Sequence, residues 1–178
     1  ARLTEVVGGQ PLDLVVSDVP APLSLSVRVY THLLGRSQLA FFAAPRLLRA
    51  TSWTARRARQ AFPACLAAMP MLLPGTPAAL RPRLDAWLRQ HALTPPLAAE
   101  FDDSALLKAF GREGQGFFAA PAVLADEIAQ QYQVEWLGTA DDLVEEFYAI
   151  SVERRITHPA VSVITATARG KLFARHPL

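Results

Sequence analysis

Cysteine is almost missing from this chain: Cys65 stands alone, which excludes an internal disulfide and fits a reducing compartment. Flanked by Ala64 and Leu66, with no base beside it in sequence, it reads as a small buried hydrophobe. Long uncharged apolar runs are missing too. Arg28 and Arg36 interrupt the most hydrophobic region, so no stretch reaches the length that crosses a bilayer. The opening ARLTEVVGG has no signal-peptide pattern, and the expectation is a cytoplasmic protein with no membrane partner. An excess of one charge is also lacking. With 18 basic and 16 acidic residues the net charge is +2, which is not the balance of a nucleic-acid-binding domain, although a pI near 9.0 leaves room for a local basic patch. Arg46, Arg49, Arg56, Arg57 and Arg59 do gather, and read as a solvated face rather than a base-stacking surface.

Catalytic and cofactor signatures are absent as well. There is no Gly-x-Ser-x-Gly elbow, and Gly111, Gly114 and Gly116 precede an apolar run instead of following one, unlike Walker or Rossmann glycines. His32, His91, His158 and His176 show no ligand spacing. No enzyme class and no cofactor is indicated.

What is present is a chain of 178 residues, 51% hydrophobic and 19% charged, enough for one domain or two small lobes with real cores. Its clearest stretch is 97–125, an apolar run closing in acids (Leu97 to Asp103), a helical pattern (Ser104 to Arg112), then a second apolar run ended by Pro121. A crossover of that length implies parallel strands and an α/β sheet. Ser104 reads as the N-cap of the helix, with Asp103 the competing choice.

Elsewhere, Leu3, Val6 and Val7 fall at helical spacing before Gly8-Gly9, and LDLVVS (12–17) suits a strand buried on both faces. Residues 23–44 alternate as one or two strands around Gly35-Arg36, and 45–69 read as a surface loop with a helical turn or two. Met71-Leu72-Leu73 makes a short strand closed by Pro74-Gly75-Thr76-Pro77, and 79–92 an amphipathic helix through Leu84, Trp87, Leu88 and His91. After the central unit come a helix (Val123 to Gln131), a strand (Gln133 to Leu137) and a second, alternating strand (Glu146 to Glu153). His158-Pro159 then opens a closing helix, about 159–173. His158 reads as its cap, with a pH-sensing role as the other possibility.

The expected domain plan has residues 1–24 and 154–178 in one lobe, 43–145 in a second, and two extended hinge crossings, 25–42 and 146–153. Small ligands bind in such clefts.

Four segments carry a resemblance: FPACLAAMPMLLPG (62–75), AEFDDSALLKAFG (99–111), FFAAPAVLADEI (117–128) and EEFYAISVERRITHPAV (145–161). They are similar to the effector-binding domain of LysR-type transcriptional regulators. Within that family they resemble a subgroup that activates a sodium/proton antiporter gene and is associated with sodium and lithium response. The resemblance implies a two-lobed, periplasmic-binding-protein-like α/β domain whose first lobe is incomplete in this chain. It also implies a parent protein that is a homo-dimer or tetramer and touches DNA only through an amino-terminal helix-turn-helix domain absent here.

By the same resemblance, Asp18 faces the inter-lobe cleft from lobe one, Phe101, Asp102 and Ser104 from the matching turn of lobe two, and Thr76 from the loop after the preceding strand. Phe118, Ala119 and Ala120 lie on the strand beside them. The residues themselves say only that these positions close strands, where α/β sheets bind ligands. The partner expected there is a small effector or a monovalent cation. Asp18, Glu100, Asp102 and Asp103 are hard oxygen donors suited to hard cations, and without basic partners they would repel one another until a cation relieved them. Two alternatives remain open: the acids simply cap a helix, or the helix N–H groups hold a small organic anion. A stand-alone solute-binding protein of the same fold is the second reading of function.

Overall fold

Met71–Pro74, MLLP, forms β3, a strand too apolar to face water, and it is hydrogen-bonded along both edges. On one side it pairs in parallel with β4, Leu97–Phe101, in the register Leu73 to Glu100 and Pro74 to Phe101. On the other it meets Phe117, whose N–H donates to the Pro70 carbonyl at 2.8 Å and whose carbonyl accepts from Leu72 at 2.9 Å. The chain between these two edges is helix α4, Ser104–Arg112, followed by β5, Phe118–Pro121. The expected strand–helix–strand unit is therefore present and parallel in sense, with β3 standing between its two strands.

This structure is a computed structural model and describes residues 14–21, 29–151, 165–167 and 170. The expected amino-terminal helix, the first part of the 23–44 strand, the His158 cap and most of the closing helix lie outside the described residues; Thr165, Ala166 and Thr167 are helical. The remaining elements are β1 (Leu14–Ser17), β2 (Tyr30–Ala43), α1 (Pro45–Ala50), α2 (Ala55–Gln60), α3 (Leu80–Gln90), α5 (Ala125–Tyr132) and β6 (Glu135–Ser151). The described residues fall into two compact units, one up to Ser37 and from Glu145 onward, the other Gln38–Val144. β2 and β6 run from one unit into the other.

In the first unit β1 pairs antiparallel with β6, Leu14 opposite Ser151 and Ser17 opposite Tyr148. Among the described residues it is an edge strand with Val16 56% exposed, not the strand buried on both faces that its composition suggests. Between β2 and β6 the Arg36 Nε lies 2.8 Å from Glu146 Oε1, and the Tyr148 hydroxyl donates to the other oxygen of the same carboxylate. That carboxylate holds the Tyr148 phenol above its ordinary pKa.

The second unit carries two cores. The larger gathers Phe41, Trp87, Leu84, Phe117, Leu66 and Met69; Phe41 stacks on Trp87 with centroids 5.0 Å apart, and Phe62 and Phe117 tilt against it. The Trp87 indole N–H, the polar end of an otherwise buried ring, donates to Asp142 at 2.7 Å. The smaller core places Phe42, Leu72, Leu107, Phe118 and Ile128 on the opposite side of the same strands, as alternation of neighbouring side chains requires.

Two further expectations are corrected. Residues 45–69 are not a surface loop. They form α1, α2 and the 3-10 turn Ala64–Ala68, and Leu47, Leu48, Ala58, Cys65, Leu66 and Met69 are all buried in the larger core. The two strands read at 133–137 and 146–153 are one, β6, continuous through Glu135–Ser151. Gly138, which looks like a break, lies flat under the Phe62 ring, where a Cβ would come within 2.4 Å of it. Gln133 instead ends α5 in the left-handed conformation, φ 53°.

Phe41→Ala, which empties a fully buried site against Phe62, Trp87 and Phe117, should cost about 3–5 kcal/mol in urea unfolding; a loss under about 1 kcal/mol would mean that this cluster is not the core. Burial pushes the Cys65 thiol up to about 11. Between its ordinary value and that one, the unfolded chain loses the proton and the folded chain keeps it, so stability falls as pH rises. The expected loss is roughly 2 kcal/mol by pH 11, and it should be missing from a Cys65→Ala variant; equal alkaline slopes in the two proteins would refute it.

Candidate functional site

Because β3 and β4 are parallel, the turns that follow them emerge at the same edge of the sheet. Gly75-Thr76-Pro77 leaves β3 and Asp102-Asp103-Ser104 leaves β4, and the Gly75 N–H donates to the Phe101 carbonyl at 2.8 Å, tying one turn to the other. Gly75 is needed for closeness. A Cβ there would stand 2.0 Å from Asp102 Oδ1, so the carboxylate of Asp102 lies directly over the glycine. Sequence reading passed over Gly75, treating PGTP only as a turn, since nothing in a single sequence marks which glycine a distant side chain will cover.

Asp103, not Ser104, caps α4. Its Oδ1 accepts from the Ala105 N–H at 2.7 Å and the Leu106 N–H at 2.8 Å, and Ser104 is the first helical residue. The N–H groups on which an anionic ligand would settle are already bonded to a carboxylate of the chain itself. One turn into the helix, burial lowers the Lys108 ammonium below its usual pKa, with the charge of Asp103 opposing.

Glu100 has a basic partner that spacing alone did not show. Arg81, on the first turn of α3, lies 2.8 Å from Glu100 Oε1 and 3.0 Å from Asp85 Oδ2, and donates to the Pro74 carbonyl at 3.0 Å. The expectation of acids without basic partners is therefore corrected for Glu100, whose charge is matched by a guanidinium that also holds the end of β3. Asp102 differs: it is exposed and has no hydrogen-bond partner among the described residues. No three His, Cys, Asp or Glu side chains among the described residues come together as a metal site.

Of the positions singled out from sequence, Thr76, Phe101, Asp102 and Ser104 share this edge of the second unit. Thr76, Asp102 and Ser104 are exposed, while Phe101 is half-buried with its ring 5.0 Å from that of Phe110 on α4. Ala119 is on β5, opposite Phe41 of β2, and packs against the larger core. Asp18 follows β1 in the first unit and is exposed.

A sequence profile of the LysR substrate binding domain matches residues 1–172. This chain belongs to that family. Over 172 residues, 97% of the chain, it is 31% identical to the transcriptional activator protein NhaR of Escherichia coli K12, and equally so to that of Shigella flexneri. The chain spans about half, 54%, of the length of these relatives. Solved structures of the same fold include the AmpR effector-binding domain from Citrobacter freundii, at a TM-score of 0.62 and 16% identity over 90% of this chain and 74% of that one. They also include the effector-binding domain of QuiR in complex with shikimate, at 0.55 and 15% over 94% and 74%. The LysR substrate-binding domain has the two-lobed α/β architecture of periplasmic binding proteins, and this one is a ligand-sensing regulatory domain. Its relatives are transcriptional regulators, not enzymes. No helix among the described residues is long and apolar enough to cross a membrane.

The capping assignment is open to direct measurement. Asp103→Ala should lower stability by about 1 kcal/mol, whereas Ser104→Ala should stay within about 0.5 kcal/mol of the parent; the reverse order would make Ser104 the cap.

Proposed function

We propose that the domain senses its effector through the Gly75–Pro77 and Asp102–Ser104 turns, with Thr76, Phe101, Asp102 and Ser104 as contacts and Ala119 on the strand beside them. The effector acts by binding one conformation of the domain better than another; only that difference in affinity moves the equilibrium. In the whole regulator this would alter how paired DNA-binding domains sit on their site, in a cytoplasmic homo-dimer or tetramer that, like its relatives, catalyses no reaction.

One observation carries the class of effector. The α4 N–H groups are taken by Asp103 and Glu100 is matched by Arg81, which leaves Asp102 as the uncompensated charge at this edge. An organic anion would meet that carboxylate without the helix donors that usually repay it. A cation or a neutral polar molecule suits the edge better, and the likeness to NhaR makes sodium or lithium the first cations to try. The relatives' role as transcriptional activators speaks against a stand-alone solute-binding protein.

Thermal unfolding of the chain in sodium, lithium and potassium chlorides at equal ionic strength tests the reading. Sodium or lithium should raise the midpoint above potassium, and Asp102→Ala should remove the difference. A ligand at a hundred times its Kd stabilises by about 2.7 kcal/mol. Stabilisation by small carboxylic acids alone, or a full cation effect in the Asp102→Ala protein, would contradict it.

A further inference from the structure

Acidic residues are unevenly spread. Between Asp18 and Asp85 there is none, while nine arginines fall in the interval, five of them in 46–59. The structure turns that run into a surface. α1 and α2 bury Leu47, Leu48 and Ala58 and leave Arg46, Arg49, Arg56, Arg57 and Arg59 exposed. Arg46 and Arg59 pair with Glu113 at 3.2 Å and Glu135 at 3.5 Å, but every partner is more than a third exposed, and such pairs exchange readily for another anion. Arg49 and Arg56 are in no ion pair among the described residues. Arg57 lies over the Trp53 ring, 5.2 Å from its centroid, and donates to the Ser52 carbonyl at 3.4 Å. Trp53, set between Arg49 and Arg56, packs against the larger core on which both helices rest, so its ring anchors a guanidinium instead of waiting for a base.

We propose that this face of α1 and α2 binds the phosphate backbone of double-stranded nucleic acid, without regard to sequence. Charge complementarity selects a polyanion. What selects a phosphate backbone over an acidic protein surface is the scarcity of apolar anchors: none of the large exposed hydrophobic side chains lies in 45–69, and the half-exposed Trp136, whose carbonyl accepts from Arg59, is a single ring beside them. Protein interfaces need a desolvated aromatic or aliphatic centre, whereas nucleic-acid interfaces are polar and basic. The exposed Ser52 and Thr54 add hydroxyls of the kind that contact phosphate oxygens. The relatives act in transcription, so a duplex is within their reach. The contact is independent of the effector site and of any effector.

The test is fluorescence anisotropy of a labelled duplex titrated with the 178-residue chain across a range of salt concentrations. With three phosphates neutralised, log K should fall against log salt with a slope of about −2.7. Replacing Arg49, Arg56 and Arg57 together by glutamine should weaken binding at least tenfold at low salt and flatten the slope. Replacing the exposed Arg83, Arg89 and Arg112 removes the same charge elsewhere and should leave both nearly unchanged. No binding by the parent chain, equal losses in the two triple variants, or preference for polyglutamate over the duplex would each overturn the proposal.

Discussion

The two-sided hydrogen bonding of β3 is the constraint on which the rest of the second unit depends. Met71 donates to Pro96 on one side, Leu72 and Pro70 exchange with Phe117 on the other, and Gly75 is bonded to Phe101 at the end. A buried backbone must find partners for all its polar groups. For a four-residue strand of Met, Leu, Leu and Pro these can only be neighbouring strands, which brings β4 and Phe117 alongside in parallel. Parallel pairing in turn puts two turns at one edge, and at that edge Gly75, Asp102 and the start of α4 meet.

At that edge, similar side chains end in different roles. Four acids lie within a short span or are drawn together by analogy, but Glu100 is matched by Arg81, Asp103 is spent on two helix N–H groups, and Asp102 projects over a glycine into solvent. A carboxylate that caps a helix gains about 1 kcal/mol for the fold and is lost to ligand binding. Asp102, exposed and without a hydrogen-bond partner among the described residues, is the carboxylate of this turn left for another molecule. The same logic separates the arginines: Arg81 serves the fold, while Arg49 and Arg56 do not.

Periodicity made much of this legible. The α4 boundaries, the Pro121 end of β5, the MLLP strand and the α3 face through Leu84, Trp87 and Leu88 follow from apolar spacing and from proline's missing donor. What stayed hidden was set by partners far along the chain. The short helices of 45–69 disguise their buried face because alanine and arginine each suit a solvated segment as well. GTADD in β6 reads as a break until Phe62 is seen to need Gly138 beneath it. Asp103 and Ser104 are both good caps, and only the backbone angle entering the helix decides between them. The pairing of Arg81 with Glu100 spans two elements and has no signature in spacing. The family resemblance extended this reading to Asp18, Thr76 and Ala119, which periodicity could only place near strand ends.

The measurement closest to the central claim is a heteronuclear NMR titration of backbone amides, with sodium exchanged for potassium at constant ionic strength. If the edge formed by β3 and β4 is where the domain reads its effector, the shifts should gather at Gly75, Thr76 and Asp102 to Ser104, leaving α1 and α2 undisturbed. Shifts that leave those turns still and gather elsewhere, or none with either ion, would contradict the account.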